Sequence, residues 1–302
     1  MPTEALELPV EGEDGHRWSL LARIPERPSH RLLWLPALGV AARHYLPFAD
    51  ALAQHGVAVF VHEWRGHGSS SVRASRHCDW GYRELLLHDL PASERAVAGQ
   101  APGVEPVIGG HSLGGQLACC RLALAPGARA LWLVATGSPY WRAFPVRTRW
   151  WLPATYRFLP WLAKIRGALP GRTVGFGGNE ARGLIQDWAR SGLSGRYAAQ
   201  GLEIDLDRAL RSVTVPVQAI GFARDWLGPE PSLRFLLSKL GSTQVRIVRL
   251  DATALGVAAD HFAWMRVPDA VACALTAAAD PDGREASRID PMPPPTQASH
   301  GA

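Results

Sequence analysis

The stretch EPVIGGHSLGGQLACCRLALA, residues 105–125, decides the fold. Glu105–Ile108 is a compact apolar run that predicts a strand, and Leu113–Ala125 predicts a helix ended by Pro126-Gly127. Gly110-His111-Ser112-Leu113-Gly114 falls directly between them. A sharp strand-to-helix turn crowds the backbone two residues either side of its central serine, and glycine at both places avoids the clash. The turn lifts the serine hydroxyl above the sheet, where a base can reach it, and the helix N-terminus favours negative charge nearby. An ordinary Gly-rich turn is the plain alternative, but the junction is the context that the motif demands.

Outward from this stretch the chain alternates short apolar strands with helices. Strands are predicted at Arg17–Ile24, Arg31–Leu35, Val57–Val61, Ala130–Ala135, Val215–Gly221 and Gln244–Leu250. Helices are predicted at Ala41–His55, Tyr82–Ala98 (interrupted by Pro91), Ser232–Leu240 and Asp269–Ala279. The class is therefore α/β, a mostly parallel sheet with helices on both faces. From Ser138 to Gln200 the rhythm breaks into Trp- and Arg-rich sequence with Pro at 139, 145, 153, 160 and 170. It then resumes, so the middle reads as an insertion into one fold. At 302 residues the chain exceeds the ~250–300 at which single cores stop growing, which an insertion accommodates. The expected organisation is a core of residues 1–137 and 206–279, a helical cap over 138–205 and a disordered tail over 280–302.

Composition excludes several classes. A chain 47% hydrophobic is not mainly disordered. Four cysteines, two of them adjacent at 119 and 120, with no CxxC spacing, give neither a disulfide scaffold nor structural zinc. The acidic start, with Glu4, Glu7, Glu11, Glu13 and Asp14 and no basic residue before Gly15, is not a secretory signal. No apolar run nears the ~18 residues of a membrane span, so a soluble, cytoplasmic protein is expected.

The net charge of +5 raises the question of nucleic acid. Only Lys164 and Lys239 are lysines and the other 30 basic residues are arginine, which matches the codon bias of a GC-rich genome. With no basic tail and no RNA-binding signature, no nucleic-acid partner is expected. The charge is also unevenly placed. Residues 138–200 hold ten basic residues against Glu180 and Asp187, a net of +8, leaving the rest of the chain at −3. Such a cap either favours an anionic amphiphile or anionic lipid surface, or is simply a solvated face.

A serine hydroxyl needs a base, and the base an orienting carboxylate. In a strand–nucleophile–helix arrangement the chain order is Ser, acid, His. Of 11 histidines only His261 and His300 follow Ser112, and His300 lies in the expected tail. His261 is therefore the candidate base, against a surface or capping role. Asp225, in the loop after strand Val215–Gly221, is the candidate acid, because catalytic groups gather at the carboxyl ends of the strands of open α/β sheets. Asp251 is its main rival, Asp260 is read as a helix cap, and Asp187 is placed in a cap helix. The oxyanion hole is expected from the N–H of Leu113 and, in the loop Pro36-Ala37-Leu38-Gly39-Val40, the N–H of Leu38, with Ala37 the alternative.

These residues resemble the α/β-hydrolase superfamily over roughly residues 16–278, most closely its serine-aminopeptidase and monoacylglycerol-lipase-like branch. The GHSLGG elbow at 110–115 carries the likeness, with Glu63-Trp64-Arg65-Gly66-His67-Gly68-Ser69. The second segment is similar to the family's acidic-x-Arg-Gly-x-Gly-x-Ser turn, with Glu63 where Asp is usual, and implies that Arg65 ties the loop down. Leu35–Val40, Leu169–Arg172 and Gln186–Arg190 are similar to a bacterial subgroup of the branch. The resemblance implies a helical cap where the insertion lies. Two departures are visible: Pro36-Ala37 stands where His-Gly is frequent, and Asp260-His261 where Gly-His is usual. A carboxylate beside the base would raise its pKa.

The expectation is acyl transfer to Ser112 and hydrolysis of a carboxylic ester, with no metal or organic cofactor and a small-molecule acyl substrate. Trp141, Trp150, Trp151, Phe158 and Trp161 either wall a substrate pocket or form the cap's own core. An acyltransferase, thioesterase or aminopeptidase would use the same triad. A non-catalytic binding module fits less well, because candidates for all three triad positions are present.

Overall fold

The computed structural model describes residues 3–277. The expected tail, and the last residues of the helix expected to end at Ala279, lie outside them. The main sheet has strands β1 (Thr3–Glu11), β2 (Arg17–Pro25), β3 (His30–Leu35), β4 (Val57–Val61), β5 (Glu105–His111), β6 (Ala130–Val134), β7 (Val217–Phe222) and β8 (Val245–Leu250). Their order is β1-β2-β4-β3-β5-β6-β7-β8. β3 to β8 run parallel, while β2 is antiparallel to both β1 and β4.

β1 is an addition to the predicted elements. Leu6, Leu8 and Val10 turn inward while Glu7, Pro9 and Glu11 stay exposed. Pro9 is tolerated because an edge strand has backbone groups that no neighbour requires, and the glutamates discourage pairing with another chain.

Period-two alternation divides the core into two layers. Leu32 and Trp34 of β3 pack with α1 (Leu46–Gln54) and, at the chain's far end, with Val271 and Leu275. Leu33 and Leu35 pack on the other face with α2 (Leu90–Ala98) and α3 (Leu113–Leu124). The helix predicted over 41–55 begins as a 3₁₀ turn, Ala42–Tyr45, and becomes α-helical with Pro47 in its first turn. In the segment 82–98, Pro91 offers no N–H to the preceding turn, and a π turn at Leu85–Asp89 takes up the break.

Between β6 and β7 the chain is helical. α4 (Leu152–Arg166) packs on α5 (Arg182–Ser194), and Leu169–Pro170 pairs briefly with Asn179–Glu180. Asp187 lies buried in α5, where its carboxylate accepts the N–H groups of Tyr82 and Gln200.

The turn after β4 is fixed by buried charge. Arg65 makes a bidentate pair with Asp89, with 2.7 Å for both bonds, and reaches Asp14 at 2.5 Å. His16 contacts Asp89 at 3.2 Å and the Ser70 hydroxyl at 2.9 Å. Burial alone would raise the Asp89 carboxyl, but hydrogen bonds from His16 and Arg65 outweigh it and hold the group below its usual range. Glu63 accepts the N–H groups of Ala42 and Ser69 and so spans two loops.

His62, alongside this cluster, is pushed down to about 3 by burial. It is neutral when folded, whereas an unfolded imidazole protonates near 6.5. Between about pH 6.5 and about 3 the unfolded state therefore binds the extra proton. Stability is fully present above that window and falls as pH drops through it, by a few kcal/mol in all (order of magnitude). Urea midpoints measured across the window should decline with acidity, and His62→Gln should flatten part of that slope.

Candidate active site

β5 ends at His111 and α3 starts at Leu113, so Ser112 alone makes the turn. Its φ of 54° and ψ of −118° are unusual for a residue with a side chain, and such strain costs about 1–3 kcal/mol. The surroundings hold it there. A Cβ at Gly110 would come within 2.4 Å of the Gly114 backbone, and one at Gly114 within 2.0 Å of the Leu35 carbonyl oxygen. The Ser112 N–H donates to Val134 O at 3.1 Å. Ser112 therefore sits above the carboxyl ends of β5 and β6, at the head of α3. The Leu113 N–H, at the open N-terminus of that helix, has no acceptor among the described residues.

Asp225 and His261 come together from two loops, three residues beyond β7 and eleven beyond β8. His261 Nδ1 lies 2.8 and 2.9 Å from the two carboxylate oxygens of Asp225. A carboxylate only accepts, so Nδ1 carries a proton, and in the neutral ring Nε2 keeps its lone pair. Asp225 Oδ1 also accepts the N–H groups of Leu227 and Gly228, both at 2.9 Å. Arg224 N–H donates to Ala259 O and joins the acid loop to the histidine loop.

The other aspartates are engaged elsewhere. Asp251 accepts from Ala254 N–H and caps a helical turn. Asp260 accepts from Phe262 and Ala263 N–H, leading into the 3₁₀ turn Ala263–Arg266. The carboxylate hydrogen-bonded to the imidazole is Asp225.

In the loop after β3, the Ala37 N–H donates to the Tyr45 hydroxyl at 2.8 Å. Leu38 N–H has no acceptor among the described residues. Tyr45 Oη is in turn 2.8 Å from His111 Nδ1. The phenol oxygen thus accepts from Ala37 N–H and shares a second hydrogen bond with the His111 ring. Burial pushes the Tyr45 hydroxyl well up and the His111 imidazole well down, so both are neutral. The His111 ring centroid lies 4.8 Å from that of His261, so a neutral His111 spares the second ring a neighbouring positive charge. Neither Tyr45 nor His111 was anticipated as a positioning group. Nothing local in the sequence says that residue 45 returns to the elbow.

Ser112, Leu113, Leu38 and His261 line one cavity of about 210 Å³. Phe144, Leu152, Tyr156, Phe176 and Trp188 of the cap enclose it, and the half-exposed Trp151, Trp226 and Phe262 also border it. Among the described residues, no Asp, Glu, Lys or Arg lines it. Gln116, one helical turn beyond Ser112, also lines it and has a buried Oε1 without a partner among the described residues. Sequence reasoning does not single this residue out, although its i, i+4 relation to Ser112 is the signal that could have. The cap segment 175–178 closes over the Leu38 loop: a Cβ on Gly39 would fall 2.5 Å from the Gly177–Gly178 peptide.

Among the five cap aromatics considered at the outset, Trp151 lines the cavity. Trp141 packs into a small cap cluster with Phe144, Leu152 and Tyr156. Trp150, Phe158 and Trp161 do neither, and are 74%, 48% and 56% exposed. A separate cleft of about 250 Å³, lined by Arg31, Glu94 and Pro106, lies at the amino ends of β3 and β5, at the opposite edge of the sheet from Ser112. Among the described residues, no three His, Cys, Asp or Glu side chains gather as metal ligands would.

The model for the serine aminopeptidase S33 family matches residues 27–253. The chain belongs to that family. No curated protein matches it significantly by sequence. Among solved structures, an esterase domain from Rhodothermus marinus superposes with a TM-score of 0.58 at 17% identity, covering 92% of this chain and 98% of that one. The Pyrococcus furiosus esterase Pf2001 gives 0.57 at 17% identity, over 90% and 89%. A thioesterase domain from the curacin biosynthetic pathway gives 0.56 at 18%, over 93% and 100%. At such identities the likeness is one of fold. This S33-family chain is an α/β-hydrolase.

The Tyr45 hydroxyl serves two buried partners at once. Tyr45→Phe leaves Ala37 N–H and His111 Nδ1 unpaired, and thermal or urea unfolding should register a loss of about 2–4 kcal/mol.

Proposed function

We propose that this S33-family hydrolase cleaves a carboxylic ester by way of an acyl-enzyme on Ser112. The observation that carries the reading is the His261–Asp225 hydrogen bond, because His261 shares its cavity with a serine held at a strand-to-helix turn. His261 Nε2 takes the Ser112 proton as Oγ attacks the ester carbonyl carbon. Asp225 stabilises the imidazolium that results, and its two extra backbone bonds keep the carboxylate aimed at Nδ1. The N–H groups of Leu113 and Leu38 receive the negative charge on the carbonyl oxygen. When the tetrahedral intermediate collapses, the alkoxide leaves with the proton from His261. Water then attacks the acyl-enzyme, giving its proton to His261, and the carboxylic acid departs as that proton returns to Ser112.

The cavity supports an ester over an amino-terminal peptide. A peptide's ammonium group calls for a carboxylate, and among the described residues none lines the space. A cavity of about 210 Å³ walled by aromatic and aliphatic side chains suits a short- to medium-chain acyl group.

A series of nitrophenyl esters of increasing chain length provides the test. Turnover should peak at short to medium chains, and a serine-directed phosphonate should label Ser112. Ser112→Ala should lower kcat by at least about a thousandfold, and Asp225→Asn by roughly a thousandfold or more. Absence of turnover on the whole series together with an unlabelled Ser112 would overturn the reading. Transfer of the acyl group to an added alcohol in preference to water would reassign the enzyme as an acyltransferase.

A further inference from the structure

The three aromatics that neither line the cavity nor fill the cap define a surface of their own. α4 carries two apolar stripes at helical spacing. Leu152, Tyr156, Leu159 and Ala163 are buried, while Ala154, Phe158, Trp161 and Ile165 repeat the same spacing on the opposite side, exposed. Phe158 and Trp161 lie with ring centroids 5.7 Å apart, and Ile165 is 48% exposed. Trp150 extends the apolar surface beyond the helix start. An exposed apolar stripe of this kind marks an interaction site.

The charge along this stretch of sequence is of one sign. Residues 138–179 hold seven basic side chains and no Asp or Glu. None of the seven makes an ion pair among the described residues. Arg157, Lys164 and Arg166 stand exposed on α4 itself. The surface also runs into the site: Trp151 and Trp226, ring centroids 6.0 Å apart, are both half-exposed and both line the cavity.

We propose that this face of the cap docks on an anionic lipid surface, with the cavity mouth turned toward the bilayer. An amphipathic helix with aromatic and aliphatic residues flanked by lysine and arginine lies in the interface plane, its apolar side among the headgroups. The cations are drawn to the anionic leaflet, and the tryptophans suit the headgroup level. No described helix is long and apolar enough to cross a membrane, so the contact is peripheral. A second copy of the chain is the competing occupant. A two-fold interface would set Arg157, Lys164 and Arg166 against the same residues of the other copy, and that like-charge contact is unfavourable.

Vesicle flotation tests this without any catalytic readout, so it stands or falls independently of the ester-hydrolase reading. Full-length protein should float with phosphatidylcholine vesicles that contain phosphatidylglycerol, and much less with phosphatidylcholine alone or at high salt. Arg157→Gln with Lys164→Gln should weaken partition by about 30-fold, at about 1 kcal/mol for each basic residue near the surface. Phe158→Ser with Trp161→Ser should lower it by about tenfold or more. Wild-type urea midpoints in all variants would show that the fold is intact. Equal flotation on neutral and anionic vesicles, or no flotation on either, overturns the proposal. So does a self-association in sedimentation velocity that Phe158→Ser with Trp161→Ser abolishes, which would assign the stripe to a second copy.

Discussion

The close approach of backbones around Ser112 is the constraint on which the rest of the molecule depends. α3 sits so near the end of β5 that Gly110 all but touches the Gly114 backbone, and Gly114 is pressed against Leu35 O. This packing holds a left-handed φ at a serine and leaves the first N–H of the helix open. It also fixes the neighbours. The loop that offers Leu38 begins at the carbonyl abutting Gly114, and the end of β6 accepts the Ser112 N–H. The hydrogen-bonded pair Tyr45–His111 then ties that loop to the residue before the serine.

Of the aspartates near the end of the chain, three differ in what their oxygens are doing. Asp251 and Asp260 terminate helical turns, and each has a short segment whose open N–H groups it satisfies. Asp225 instead sits in a loop whose backbone N–H groups hold the carboxylate in place while the imidazole takes its outer edge. The capping role of Asp260 also turns the carboxylate next to His261 toward the backbone.

Much of the fold is legible in local sequence. The strands at 57–61 and 130–134, the turn at Ser112 and the interruption at Pro91 all arise from short-range sterics and periodicity. β1 was missed because Pro9 and its glutamates break the usual strand signature, while antiparallel pairing with β2 supplies what the strand lacks alone. Pairing His261 with Asp225 over Asp251 could be argued from position, but the two bonds from Leu227 and Gly228 could not. The cap aromatics show the limit most clearly. In α4 the residues at 152, 156, 159 and 163 and those at 154, 158, 161 and 165 have the same spacing. Periodicity alone cannot say which stripe turns inward, since the decision belongs to α5 and the core beneath.

The meeting of Gly39 with the Gly177–Gly178 peptide sets a steric condition on which cap this core can carry. Any side chain at position 39 would occupy the path of the cap's backbone, so neither segment can change alone. The cap is not an interchangeable module laid over a common hydrolase platform. A cap grafted from a relative would have to leave the same hollow above residue 39. The insertion and the loop beneath it are therefore sterically coupled, although more than a hundred residues separate them along the chain.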